Sequence, residues 1–192
     1  MTTNLIKLII FSAPSGCGKT TIAKAVLKRL SALMFCISAT TRERRGEEKE
    51  GVDYYYLSVE EFKQKIANGE FAEWEEVYPG RFYGTLKSEI ERINSLGLIP
   101  VLDIDVKGAQ SLKKIYGENA LLIFVKAPID VIKERLENRN TETAEQIKVR
   151  LDRIPEELTY EKKSDVTVIN IDLQKAIDDA VDVVTHFLET SF

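Results

Sequence analysis

The sequence predicts an α/β fold in which a parallel sheet is covered by helices on both faces. Short apolar runs alternate with amphipathic segments along most of the 192 residues. The runs are apolar throughout, as expected of strands buried on both sides. A polar, aromatic stretch over about 39–85 breaks the alternation and reads as a small β-rich insertion.

Leu5 to Ser12 is the first strand, and residues 18–31 place Ile22, Ala23, Val26, Leu27 and Leu30 on one helical face. Leu33 to Ser38 reads as a second strand, 39–53 as a loop, and Tyr54 to Leu57 as a short strand. Ser58-Val59-Glu60-Glu61 is a capping box, so a helix opens there and stops near Asn68-Gly69. Residues 70–85 form a hairpin around Pro79-Gly80. A helix over 86–96 stops at Gly97, and Leu98 to Asp103 is a buried strand ending in a carboxylate. A helix near 107–115, a strand from Leu121 to Lys126, and helices over 129–139 and 143–162 follow. The strand Val166 to Asn170 leads into a helix begun by Asp172.

Composition removes several function classes. With 27 basic and 31 acidic residues the net charge is −4, and the pI of about 5.3 argues against a dedicated nucleic-acid binder. One histidine, His186, leaves no material for a His-rich metal site or a Ser-His-Asp triad. Two cysteines, Cys17 and Cys36, give neither a zinc pattern nor a disulfide framework. No apolar run is long enough for a membrane span, and the N-terminal run leads into glycines and lysine rather than a cleavage site. A cytoplasmic protein without nucleic-acid or membrane partners is expected, its oligomeric state (monomer or homo-oligomer) undecided.

Ala13-Pro14-Ser15-Gly16-Cys17-Gly18-Lys19-Thr20 matches the phosphate-loop pattern GxxxxGK[ST] except at its first position. The strand before it and the helix after it are the required context. Gly16 and Gly18 let the backbone turn its amides inward, towards phosphate oxygens at a helix N-terminus. Lys19 supplies a charge to the β- and γ-phosphates, and Thr20 a hydroxyl to Mg²⁺. Asp103, closing an apolar strand, is the candidate Walker-B carboxylate, near Mg²⁺ or its waters. The fold expected is therefore a P-loop NTPase-type three-layer α/β/α core.

Residues 40–57 carry Thr40-Thr41-Arg42-Glu43-Arg44-Arg45, then Glu48, Gly51, Tyr54, Tyr56 and Leu57. This stretch closely resembles the signature of guanylate kinases. Phe71-Ala72-Glu73-Trp74, Phe82-Tyr83-Gly84-Thr85, Leu102-Asp103-Ile104-Asp105 and Arg139-Asn140-Thr141-Glu142-Thr143 resemble further family blocks in the family's order. The resemblance covers essentially the whole chain. It implies Mg²⁺-dependent transfer of the γ-phosphoryl of ATP to GMP, giving ADP and GDP, in purine nucleotide metabolism. It also implies a single domain over 1–192: a core of about 1–38, 86–128 and 160–192, a GMP-binding insertion over 39–85, and a helical lid over 129–159.

The resemblance extends to single residues. Arg42 and Arg45 match arginines that grip the GMP phosphate, a task suited to their two-pronged fork. Tyr54 and Tyr83 match tyrosines whose hydroxyls reach the same phosphate, and Gly84 permits close backbone approach. Glu73 matches the acceptor of guanine N1–H and the 2-amino group. An acceptor-only carboxylate fits those donors and would be left unpaired against adenine. Ser38 and Thr85 match hydroxyls near the base, and Asp103 and Asp105 acidic members of the GMP site. Arg135, Arg139 and Arg150 match lid arginines that close over ATP, and Asn170 an asparagine near the adenine. Thr21 completes the ATP set with the loop residues. Lys19, Arg42, Asp103, Arg135 and Arg150 form the implied catalytic group. Arg44 stands where proline is usual, and Glu47 and Asn140 where glycine is common. Two other readings stay open on sequence alone: a kinase for another nucleoside monophosphate, and a non-catalytic guanylate-kinase-like module that binds phosphopeptides.

Overall fold

The computed structural model describes residues 6–138 and 144–190. The apolar runs become a five-stranded parallel sheet: β1 (Leu8–Ser12), β2 (Leu33–Phe35), β7 (Ile99–Asp103), β8 (Ala120–Lys126) and β9 (Val166–Ile169), in spatial order β2-β7-β1-β8-β9. Between them run α1 (Lys19–Arg29), α3 (Lys87–Ser95), α4 (Val106–Tyr116), α5 (Ile129–Asn138) and α6 (Ala144–Leu158), with α7 (Leu173–Thr190) after β9.

Strand alternation distributes β1 between two cores. Ile9 and Phe11 pack with Ile22, Val26, Ile132, Ile154 and Ala180, against α1, α5, α6 and α7. Leu8 and Ile10 face the other way, onto Ile90, Ile93, Ala109 and Leu112 of α3 and α4. Both faces are thus covered, which is why the strands carry no polar side.

The insertion is a separate four-stranded sheet, order β4-β3-β6-β5, made of β3 (Ala39–Thr40), β4 (Tyr55–Tyr56), β5 (Phe71–Tyr78) and β6 (Arg81–Leu86). α2 (Val59–Ala67) covers it, with Phe62 stacked on Phe71 at 4.3 Å and both packed with Phe82 and Ala39. The capping box forms: Ser58 Oγ accepts from the Glu61 amide, and the Glu61 carboxylate accepts from the Ser58 amide.

The structure corrects two boundaries. The run expected as one strand from Leu33 to Ser38 stops at Phe35, and the expected loop opens with β3. Cys36 N still donates to Val101 O in the core sheet, whereas Ser38 O accepts from Tyr55 N and Thr41 N donates to Phe82 O. The backbone changes partners within a few residues and so leaves one sheet for the other. The helix expected over 143–162 ends at Leu158 and continues as a 3-10 segment, Thr159–Lys163.

The two sheets are joined at Glu89, which is 3% exposed. Its carboxylate accepts from Arg92 Nε and Nη2 (2.8 and 2.9 Å), from Tyr55 Oη (3.1 Å) and from Ile37 N (3.3 Å). Burial pushes its pKa up, but the Arg92 fork and the other donors outweigh burial and hold it below the usual value. Residues of α3, β4 and the β2–β3 connection are therefore tied to one ionised group.

Candidate active site

Parallel strands bring their C-terminal ends to one edge, where ligands of open α/β sheets bind. Phe11 of β1 lies in register with Asp103 of β7. That pairing sets the phosphate loop beside the carboxylate although about 90 residues separate them in the chain. Lys19 Nζ lies 2.8 Å from Asp103 Oδ1 and donates to Ile104 O at 2.6 Å. Thr20 Oγ1 donates to Asp103 Oδ2 at 2.5 Å. Gly18 is the N-cap of α1 at φ 86°, a left-handed angle that side chains rarely adopt. A Cβ there would also run into the Asn170 amide nitrogen.

A cavity of about 740 Å³ runs from this loop to the insertion, with α6 along one side. Its wall contains Ala13 to Thr21, Ser38, Arg42, Arg45, Tyr54, Glu73, Tyr83, Gly84, Asp103, Asp105 and Arg150. Most residues singled out in the sequence therefore converge on one space. Thr85, Arg135 and Asn170 do not line it. Thr85 stands behind Glu73, 1% exposed. Arg135 and Asn170 lie behind the phosphate loop: Arg135 Nη2 donates to Asn170 O at 3.2 Å, and Asn170 Nδ2 to Cys17 O at 2.7 Å. Both support the loop from beneath, and Asn170 Oδ1 is a buried acceptor with no hydrogen-bond partner among the described residues. Arg139 lies outside the described residues.

At the insertion end, Arg42 forks Glu48, with Nη1–Oε2 and Nη2–Oε1 both 2.6 Å. Its guanidinium also lies 4.7 Å from the centre of the Tyr54 ring. The Arg42 fork, with smaller contributions from Tyr56 Oη and Arg45 N, holds the Glu48 pKa down at about 2 against the effect of burial. Tyr54 and Tyr83 meet edge to face at 6.2 Å. Burial, then the Asp103 charge, raises the Tyr54 hydroxyl pKa, so it is a proton donor at neutral pH.

Glu73 and Thr85 are opposed across the β5–β6 ladder, and Thr85 Oγ1 donates to Glu73 Oε1 at 2.6 Å. Glu73 is 6% exposed. Burial is the main reason its pKa is pushed up to about 7; the Thr85 hydrogen bond opposes this and the Asp105 charge adds to it. Gly108 faces Glu73, and a Cβ there would collide with Oε2. Asp105 caps α4, its Oδ1 accepting from the Lys107 and Gly108 amides at 2.7 and 2.9 Å.

The wall also contains polar and charged residues to which sequence reasoning gives no role: Lys24, Glu48, Asp53, Tyr78, Arg153 and Glu157. Glu48 sat unassigned within the quoted signature. Arg150, Arg153 and Glu157 follow a three-then-four spacing that puts them on one helical face, a pattern a solvated surface shares. Cys17 has no exposed surface, and burial raises its thiol pKa to about 11, which disfavours the reactive thiolate at neutral pH.

Sheet order, phosphate loop and strand-end aspartate are those of a nucleotide-binding α/β protein of P-loop NTPase type, with a second sheet inserted. The family model for guanylate kinase matches residues 5–189. The chain is 49% identical over 183 residues to a guanylate kinase of Bacteroides fragilis, covering 95% of this chain and 90% of that protein. It is 45% identical over 184 residues to one of Salinibacter ruber, covering 95% and 97%. The crystal structure of guanylate kinase from Anaplasma phagocytophilum superposes with a TM-score of 0.79 at 27% identity, covering 97% of this chain and 88% of that one. The chain belongs to the guanylate kinase family.

Proposed function

We propose that this chain is an ATP:GMP phosphotransferase, converting ATP and GMP to ADP and GDP. The observation that carries the reading is the single cavity with a phosphate loop at one end and Glu73, Arg42, Arg45, Tyr54 and Tyr83 at the other. ATP phosphates are assigned to residues 13–21 and GMP to the insertion. The ionised Glu73 accepts guanine N1–H and the 2-amino group, while the arginines and tyrosine hydroxyls hold the GMP phosphate. Ser38, Thr85 and Asp105 complete the base site, and Gly84 lets β6 lie close against Glu73 and Trp74 of β5, where a Cβ would clash.

The nucleophile is an anionic phosphate oxygen of GMP and needs no general base. Catalysis is then alignment plus neutralisation of charge on the transferring group. Lys19 and Arg150 supply the charge inside the cavity, and Arg42 fixes the acceptor. Arg135 contributes by holding the loop from beneath rather than by lining the cavity. α6 excludes water that would otherwise hydrolyse ATP.

The donors present fit Mg²⁺. Thr20 Oγ1 and Asp103 Oδ2 are adjacent hard oxygens, and Mg²⁺ uses one or two protein oxygens beside phosphates and waters. Among the described residues no group of three or more His, Cys, Asp or Glu side chains forms a protein-only cage. Thr20 and Asp103 would hold Mg²⁺ at the phosphate loop, and its charge would add to that of Lys19 in neutralising the phosphates. No described helix is long and apolar enough to cross a membrane. We infer a cytoplasmic setting from the substrates and from two buried, unbridged cysteines.

The test is ADP release from ATP with GMP, AMP, UMP or CMP, with and without Mg²⁺. Rapid Mg²⁺-dependent turnover with GMP is expected. Preference for another monophosphate, or no turnover beside phosphopeptide binding, would overturn the reading.

A further inference from the structure

Three parts of the molecule that must meet for the proposed transfer are joined by side chains that no motif singles out. Glu157 Oε2 accepts from the Ser15 amide of the phosphate loop at 3.3 Å. Its Oε1 pairs with Arg153 Nε at 3.5 Å. The Arg153 guanidinium lies 5.7 Å from the centre of the Tyr78 ring. Tyr78 is the last residue of β5, at the tip of the hairpin that carries Glu73. The contacts run without a break from hairpin tip to α6 to phosphate loop.

We propose that Arg153 is a positioning residue, which through Tyr78 on one side and Glu157 on the other holds the GMP-binding hairpin in register with the phosphate loop. This rests on the function proposed above, which assigns one substrate to each end of the relay. The geometry suits arginine in particular: a planar guanidinium lies over a ring while Nε pairs with a carboxylate, and a lysine ammonium does not do both. The pair is neither dry nor fully screened, with Arg153 38% and Glu157 16% exposed at the side chain. Tyr78 is an exposed aromatic at the hairpin tip, so its removal leaves the cores untouched. The relay carries out no bond-making. It limits the freedom of one substrate site relative to the other, so its loss appears as uncoupling of the two substrates rather than as unfolding.

The experiment compares wild type with Tyr78→Ala, Tyr78→Phe, Arg153→Ala, Arg153→Lys, Glu157→Gln and the double variant Tyr78→Ala/Arg153→Ala. Two rates are read: ADP formation with GMP, and ATP hydrolysis without it. The dependence of the GMP KM on ATP concentration is read as well. Tyr78→Ala and Arg153→Ala are expected to lower kcat/KM for GMP about five-fold, the scale of a partly desolvated cation–π contact. They should also raise hydrolysis relative to transfer and flatten the ATP dependence of the GMP KM. The double variant should be no worse than the poorer single one. Tyr78→Phe keeps the ring and should match wild type, while Arg153→Lys should fall between. Glu157→Gln should uncouple like Arg153→Ala while its amide oxygen still accepts from Ser15. Additive losses in the double variant, or wild-type ratios in both alanine variants, would overturn the relay while leaving the kinase reading intact. A wild-type protein inactive on GMP would overturn both.

Discussion

Glu73 shows how one buried carboxylate makes function depend on pH. Its pKa is about 7 in the folded protein against 4.5 unperturbed. A raised carboxyl pKa means that the folded state binds the proton more tightly than the unfolded chain does. Its contribution to stability is therefore complete below about pH 4.5 and lost as pH rises to about 7, on the order of 3 kcal/mol in all. Denaturant unfolding between pH 4.5 and 7.5 should show that decline, and Glu73→Gln should remove it. On the proposed function GMP binding runs the other way, because guanine's two donors require the ionised form. GMP binding should weaken as pH falls below 7 more steeply in wild type than in Glu73→Gln, with protons released on binding to wild type, as calorimetry in buffers of different ionisation enthalpy would show. The Gln variant should bind GMP more weakly at pH 8, since its amide offers one acceptor where guanine presents two donors.

At the scale of elements, local chemistry and tertiary partners divide the work. α2 begins where Ser58 and Glu61 satisfy each other's amides, and that reciprocal pair needs no distant residue. Ser58→Ala should cost about 1 kcal/mol, read as a fall of about 2–4 °C in melting temperature, with GMP turnover preserved below the transition. The hairpin was equally legible, from Pro79-Gly80 between β-rich runs. The split between β2 and β3 was not, because Leu33 to Thr40 is locally a continuous β-forming run. Which sheet each half joins depends on Val101, Tyr55 and Phe82, all remote in sequence. The loop departure at Arg44 has a similar explanation. Arg44 pairs with Glu50 at 3.1 Å and lies 4.9 Å from the Tyr56 ring centre, contacts that tether the loop where a proline would stiffen it.

Over the whole molecule, a chain of net charge −4 gathers Lys19, Arg42, Arg45, Arg150 and Arg153 around one cavity. Much of its acidity lies elsewhere, as in Asp178, Asp179 and Asp182 of α7. Local field, not net charge, governs an anionic substrate. Lys19 pairs with Asp103 at 2.8 Å beside the phosphate loop and lies outside both hydrophobic cores. Lys19→Met should lower turnover by roughly 10³-fold with an unchanged circular dichroism spectrum; turnover near the wild-type rate would contradict the assignment.

By itself the sequence determined the α/β class, the phosphate loop and the capping box, while the residues around Glu73 and Arg42 were legible only through the family resemblance. The first three are written in contiguous stretches whose local spacing carries its own physical reason. The tertiary structure alone decided that Arg135 and Asn170 support the loop from beneath, that Glu89 ties the insertion to the core, and that Arg153 bridges Tyr78 and Glu157. Those roles depend on which helix face meets which strand end. Sheet order fixes that, and no local pattern in the chain encodes it.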